Sequence, residues 1–521
     1  LSESNCPKEK RQLLGWPPPI TLDHLWFALP VVLVIIMGFR HRLRLLDFWW
    51  HLKIGEIIVG TFSIPRTDLF SYTVEGETFV LQNWLTEAIY ALVYRTGGLE
   101  LLIVANTLVL VTAFLAIYHL CWDPLQRVRP VVLSAGFAVV ALAWVYSNVR
   151  PQTFSFLFFA IFYWVLVRYS QNQISFPWTL PLLMAFWVNL HGAFVLGLGL
   201  IFLFLCCETV RRISRGPQPH TLSPQKLRLL LYVFVVTVVA SLVNPETYKV
   251  YDYVLTVLRD PGSQIYVTEW QPPTFKSFSG QVCFYGPFLG SLLVILYSRR
   301  KLNLTELALY LGFAGFAVTS VRNGIWFSLI VSPIVARSLA DLKPDTDFQP
   351  LRMIRLWSGA RDSGASGRNT ASPVNVVVAI IMLASCIVST PWLGPAITGN
   401  PLWESETPVA VFDFIESEQL TGHIFHPQSY GDYLIWRLWP HQKSFVDGRV
   451  HIFGGELVKD YVNVHHDSCW EKRLEPYNID YLLLKASGES SEGLQKSATE
   501  SPNWELLYKD ELSVLFRRVG R

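Results

Sequence analysis

Asp47 and His51 stand four residues apart in the string Leu46-Asp47-Phe48-Trp49-Trp50-His51-Leu52. On a helix that spacing puts a carboxylate and an imidazole on one face. The string follows an apolar run, Leu25 to Phe39, which with its flanks is long enough to cross a bilayer. Asp47, His51 and Glu56 therefore stand at a membrane exit, among aromatic residues that favour the headgroup region. A carboxylate at such a boundary can take a proton from an incoming hydroxyl. Arginines beside it can bind phosphate oxygens through two parallel bonds and neutralise a leaving phosphate or diphosphate.

The elements that must position these groups are membrane helices. The chain has 521 residues, of which 51% are hydrophobic and only 16% charged, with a mean hydropathy of +0.33. That is too apolar for a soluble chain of this length. An aromatic share of 14% suits extensive membrane interfaces. A net charge of +3 gives no reason to expect nucleic acid as a partner. The seven cysteines are scattered without metal spacing, and most lie in or near apolar runs, which argues against a disulfide framework. Leu1 to Pro19 is polar and proline-rich, unlike a cleavable signal peptide.

Hydropathy predicts roughly eleven transmembrane helices, several short for a full crossing. They fall at Leu22–Phe39, Leu99–Leu120, Val131–Tyr146, Phe154–Val167, Trp178–Leu190, Ala193–Cys207, Leu229–Val243, Val282–Tyr297, Leu304–Ser320, Ile325–Ala340 and Val374–Thr390. Lysine and arginine cluster in the loops after even-numbered spans, and that side should be cytoplasmic, with the N-terminal segment 1–21. Asp47 and everything after Pro391 then face outward. Arg40, Arg42 and Arg44 run against this rule: either they meet lipid phosphates there, or the first helix ends elsewhere. A membrane body is expected over 22–340 with a long first outer loop over 40–98. A flexible cytoplasmic linker over 341–373 and a last span over 374–391 follow. A small extracytoplasmic α/β domain fills 392–521. In that domain Val409–Glu418 and Tyr430–Leu438 read as helices. Gly422–Phe425, Lys443–Val446, Tyr481–Leu484, Glu505–Tyr508 and Leu512–Phe516 read as strands.

On this topology a polar set gathers at one leaflet. The first outer loop adds Asp68 and Glu87; short outer loops add Arg150, His191, Glu269 and Arg322. A charge at a span terminus often only snorkels to headgroups. The chemical reading rests on the whole set sharing one face. Asp447-Gly448 reads as a turn pair, with Arg449 and His451 placed to roof the site from the outer domain. His191-Gly192 between two short spans reads as a broken helix lining a cavity. His465-His466-Asp467 lacks the spacing of a metal set.

The string Asp47-x-Trp49-Trp50-His51-Leu52-x-x-Gly55, followed by Ile64-Pro65-Arg66-Thr67-Asp68-x-Phe70-Ser71-Tyr72-Thr73, resembles polytopic prokaryotic membrane proteins of the GT-C glycosyltransferase-like class. Trp84-Leu85-x-Glu87, Arg150-Pro151, Asn189-Leu190-His191-Gly192, Glu269-Trp270-Gln271-Pro272 and Phe445-Val446-Asp447-Gly448-Arg449 look like further parts of that pattern. The resemblance implies an integral-membrane glycosyltransferase using a sugar on a polyprenyl phosphate or diphosphate, at the outer face of an inner (plasma) membrane. It makes Asp47 the catalytic base and Asp68 a second acid, for orientation or for a divalent metal; no cofactor is assigned beyond that. His51, Glu87, Arg150, His191, Glu269, Arg322 and Arg449 are the expected substrate-binding set. The chain has Leu45 where related strings carry an acid, and Gln82-Asn83 where they carry His-Glu. These departures keep a second reading open: a catalytically inactive GT-C-like subunit whose outer domain binds a protein partner. A transporter would need paired broken helices and internal symmetry, and only the His191-Gly192 break is present.

Overall fold

Each apolar segment named above lies on a helix. The computed structural model describes residues 20–122, 128–145, 148–216, 221–260, 262, 264, 267–342, 349–350, 352–353, 372–465 and 469–520. The helices of the body are α1 (Leu22–Arg40), α2 (Phe48–Thr61), α3 (Trp84–Cys121), α4 (Val128–Val139), α5 (Gln152–Ser170), α6 (Thr179–Leu190) and α7 (Phe194–Arg215). They continue as α8 (Pro224–Ala240), α9 (Lys249–Arg259), α10 (Phe278–Tyr297), α11 (Leu304–Thr319) and α12 (Gly324–Ala340). After the predicted linker, most of which lies outside the described residues, comes α13 (Pro373–Val388). Among the described residues, 6 helices are long and apolar enough to cross a membrane, and α4, α6, α11 and α13 are shorter apolar helices.

Their shared core is aromatic and aliphatic, with Phe114, Phe159, Tyr163, Trp187, Trp326 and Phe327 all buried. The outward faces of α8 and α13, including Val235, Val239, Ile380 and Leu383, are exposed and apolar, as faces toward lipid must be. α3 joins the predicted Leu99–Leu120 to an earlier stretch starting at Trp84, across a break at Gly97-Gly98. α9 was not expected from the sequence.

The C-terminal unit holds α14 (Leu393–Thr398), α15 (Val409–Ser417), α16 (Gln428–Leu438), α17 (Gly454–Val464), α18 (Trp470–Leu474) and α19 (Glu489–Glu500). Its four-stranded sheet runs β1 (His423–Phe425), β2 (Ile479–Lys485), β4 (Ser513–Arg518), β3 (Trp504–Lys509). β1 and β2 are parallel, and the other pairs are antiparallel. Lys443–Val446, expected as a strand, is not one. Only Ser444 forms a bridge, and its partner is Ser71 of the first loop rather than the sheet. Ser444 gives its N–H to the carbonyl of Phe70 at 2.8 Å and accepts that of Tyr72 at 3.1 Å, so the segment serves a domain contact and not a ladder.

That contact organises the molecule. Phe48, Trp49 and Leu52 of α2 share one buried cluster with Tyr433, Leu434 and Leu515 of the C-terminal unit. The Trp49 ring lies 4.6 Å from that of Trp436 and 5.1 Å from that of Tyr433. Two of the strings that carry the resemblance, Ile64–Thr73 and Phe445–Arg449, meet along this seam. Tyr72 Oη donates to the carbonyl of Ile424 at 2.9 Å, and Thr73 Oγ1 to that of Phe445 at 2.7 Å.

Candidate active site

Asp47 occupies the N-cap position of α2 with φ 71° and ψ −42°, a conformation disfavoured for any residue with a side chain. Its backbone N–H is held by the carboxylate of Asp432, on α16. Asp432 is fully buried and also accepts the backbone N–H of Gly448 at 2.7 Å. A Cβ at position 448 would stand 2.8 Å from Asp47 Oδ1 and 2.9 Å from Asp432 Oδ2, so Gly448 is the spacer between two carboxylates. Asp47 thus comes from the first loop, while Asp432 and Gly448 come from the C-terminal unit.

The Asp47 side chain is 34% exposed and points to a line of cations. Arg150 Nη2 lies 2.9 Å from Asp47 Oδ2, and Arg150 Nη1 lies 3.0 Å from Glu269 Oε2. Arg44 Nη1 approaches Glu269 at 3.5 Å. The Arg322 guanidinium stacks 4.4 Å over the ring of Trp270. Arg150 Nε is buried and without a hydrogen-bond partner. Burial raises the Asp47 carboxyl above its ordinary range; Arg150 opposes that shift and Glu269 reinforces it. Against the effect of its own burial, Arg150, Arg322 and Arg44 hold Glu269 below the usual carboxylate range. Burial, with Asp447 and Asp47 close by, pushes Asp432 well above that range.

His191 follows the last residue of α6, where its backbone is extended and the chain turns into α7. Trp187 Nε1 donates to Ser155 Oγ at 2.8 Å, and Ser155 Oγ lies 2.9 Å from His191 Nδ1. Ala193 N–H also reaches Nδ1 at 3.2 Å. Nδ1 is therefore the acceptor, which leaves the proton on Nε2. Burial, with Arg322 nearby, lowers His191 to about 3, so it stays a neutral donor. The break it marks is clamped by the start of α3. Trp84 Nε1 donates to Asn189 Oδ1 at 2.8 Å, Thr86 Oγ1 to the carbonyl of Leu190 at 2.8 Å, and Gln82 Nε2 to that of Val188 at 3.0 Å.

His51 Nδ1 lies 2.8 Å from Glu87 Oε1, and both side chains are buried. Glu87 Oε2 has no hydrogen-bond partner. Burial, then the positive charge of nearby groups, Arg150 and Arg449 among them, holds His51 well below its ordinary value, so the ring is neutral.

Asp68 and Arg449 are brought together but away from solvent. Arg449 Nη1 bonds Asp68 Oδ1, while Nε and Nη2 grip Asp447 at 2.8 and 2.6 Å. The guanidinium is flanked by Phe70, Phe79 and Trp50, with ring centroids 5.1 to 5.7 Å away. Asp68 Oδ2 accepts both the N–H and the hydroxyl of Ser71. This is a sealed knot between first loop and outer domain, and Asp447-Gly448 is part of it rather than a surface turn.

The nine residues expected from sequence thus form three groups. Asp47, Arg150, Glu269 and Arg322 form one charged cluster, and His191 lies near Arg322. Asp68 and Arg449 tie the cluster's roof, and His51–Glu87 sits in the layer between, sensing the charge of both Arg150 and Arg449. Sequence reasoning missed Asp432, whose only signal was a lone acid inside an apolar helical stretch, and Trp270 as the platform for Arg322. The residues do not fit a resident divalent cation. Among the described residues no three His, Cys, Asp or Glu side chains converge to hold one, and both Asp68 oxygens are committed. His466 and Asp467 lie outside the described residues.

No family model matches the chain, and no curated protein matches it by sequence. Solved structures do resemble it. The archaeal oligosaccharyltransferase AglB from Archaeoglobus fulgidus, in complex with an inhibitory peptide and a dolichol-phosphate, matches with a TM-score of 0.55 and 14% identity over 95% of this chain and 74% of its own. The apo oligosaccharyltransferase of the same organism gives 0.53 and 14% over 88% and 69%. Apo ArnT from Cupriavidus metallidurans gives 0.53 and 12% over 94% and 97%. At such identities the likeness is one of architecture, and by its architecture this chain is a polytopic membrane protein with the GT-C glycosyltransferase fold.

Proposed function

We propose that this chain is an integral-membrane glycosyltransferase that moves a sugar from a polyprenyl-phosphate-linked donor to an acceptor at the outer face of a plasma membrane. One observation carries the reading: a partly exposed acid of raised pKa, Asp47, faces Arg150, with Arg44 and Arg322 beside it, at the end of the helical body. The bound dolichol-phosphate of the archaeal neighbour supports a lipid-phosphate donor. In this scheme the donor phosphate takes the face of Arg150 now held by Asp47, which frees the carboxylate. The acceptor's hydroxyl or amide proton passes to Asp47 as its heteroatom bonds the anomeric carbon. The bond from that carbon to the phosphate oxygen breaks, and its electron pair leaves with the lipid phosphate. Arg150 and Arg322 neutralise the charge so formed. The displacement is direct and inverts the anomeric centre. His191 Nε2–H is a neutral donor for the sugar or phosphate. Asp68, Asp447 and Arg449 hold the outer domain over the space, with the N-terminus cytoplasmic and residues 392–521 outside.

The test is transfer by purified Asp47→Asn protein. A loss of about 10²–10⁴-fold is expected, with the fold intact by thermal melting; unreduced transfer overturns the assignment. A second reading, an inactive subunit, draws on Leu45, which is buried where related strings carry an acid. Asp432 answers it in space, since it brings a second carboxylate beside Asp47. Stoichiometric copurification with a stable complex, and no transfer by the wild-type chain, would favour the subunit.

A further inference from the structure

The three arginines that break the positive-inside pattern do not behave alike. Arg44 is bound to Glu269 and Glu404. Arg40 and Arg42 have no carboxylate partner among the described residues, and both line a groove of about 420 Å³ between the end of α1 and the α13–α14 turn. Arg40 also sits in the last turn of α1, where a cation complements the carbonyl end. Arg42 lies beyond the helix and gains nothing from that. Ser389, Thr398 and Asn400 add polar groups to its lining, and Ile36 and Val388 apolar ones.

The groove lies on the same end of the body as the site. Leu43 pairs with Trp403 in a parallel bridge, and its N–H donates to the carbonyl of Leu402 at 2.8 Å, which fixes the groove wall four residues before Asp47. Along the groove-facing side of α13 the surface is apolar and exposed at Val374, Val377, Val378, Ile381 and Val388, a face suited to acyl chains. Two unpaired guanidiniums above such a face meet the chemistry of a lipid phosphate with net negative charge.

We propose that this groove is a binding site for an anionic phospholipid, its phosphate held between Arg40 and Arg42 and its chains laid on α13. The lipid is structural, a clamp on the α1–α13 contact beside the site. The proposal does not rest on the transfer chemistry: a result against it leaves Asp47→Asn unaffected as a test, and the reverse.

The full chain is reconstituted in nanodiscs of phosphatidylcholine containing a minor share of phosphatidylglycerol, re-extracted in mild detergent, and its retained lipid counted by native mass spectrometry. Phosphatidylglycerol should be enriched over phosphatidylcholine by at least about fivefold. The double variant Arg40→Gln, Arg42→Gln should lose that enrichment, while Lys496→Gln, in the outer domain, should keep it. Enrichment unchanged in the double variant overturns the site. Displacement by millimolar inorganic phosphate would make it a free-anion site. Displacement by polyprenyl phosphate at equal concentration would make it a donor site. Either overturns the phospholipid assignment. Should the double variant fail to fold, Arg42→Gln alone, with partial loss expected, decides the same question.

Discussion

Asp47 holds a strained backbone, φ 71° with ψ −42°, because Asp432 takes its N–H. Such conformations cost on the order of 1–3 kcal/mol and persist only where the surroundings impose them. Asp47→Gly is therefore expected to be more stable than Asp47→Ala by about 1 kcal/mol in chemical denaturation, although both lack the carboxylate. Equal stabilities would mean that the conformation carries no strain. Asp432 gives a prediction in pH. Its folded carboxyl is raised above the unfolded value, chiefly by burial. Its contribution to stability is then fully present below the unfolded pKa of about 3.9 and is lost as pH rises through the raised folded value. Asp432→Asn cannot ionise, so its melting temperature relative to wild type should climb across that window. A constant difference would show that Asp432 does not titrate there. The acid and base types were legible in the sequence because Asp47, Arg150 and Glu269 sit at span ends. Asp432 was not, since a buried acid on a helix looks like a gap in an apolar stripe until its partners from residues 47 and 448 are in place.

At the scale of elements, the seam between α2, the 67–78 hairpin and α16 positions everything else. Arg449 is its rivet: it is buried, with three bonds to two carboxylates from different parts of the chain. Arg449→Met strands Asp68 and Asp447 and should cost about 3–5 kcal/mol, read as earlier thermal unfolding and faster proteolysis of the outer domain. Arg449→Lys should recover only part, because an ammonium cannot make the forked pair. If neither variant alters melting or cleavage, the rivet bears no strain. Gly431 is a second fixed point, where a Cβ would stand 2.1 Å from the Val446 carbonyl oxygen. The long apolar helices of the body were readable from hydropathy, and β2, β3 and β4 from strand patterning. The Lys443–Val446 segment is no strand because the Ser444 backbone bonds Phe70 and Tyr72, far away in sequence, while Phe445 and Val446 pack in the C-terminal core, and alternation alone cannot tell a sheet from a seam.

For the whole molecule, the shared core of α2 and the outer domain requires residues 40–98 and 400–520 to lie on one side of the membrane. In a cysteine-free background, Gly76→Cys and Gly493→Cys should both react with an impermeant maleimide from outside intact cells. Arg299→Cys should react only after permeabilisation. Labelling of the first two from opposite sides would contradict the core itself. The order of the chain adds a final consequence. Asp47 is made 385 residues before Asp432, which holds its backbone N–H, and Gly448 follows later still. A nascent chain can therefore insert its first helices while Asp47 still lacks the groups that shape it, and the charged cluster takes its form only after residues 432 and 448 have been made.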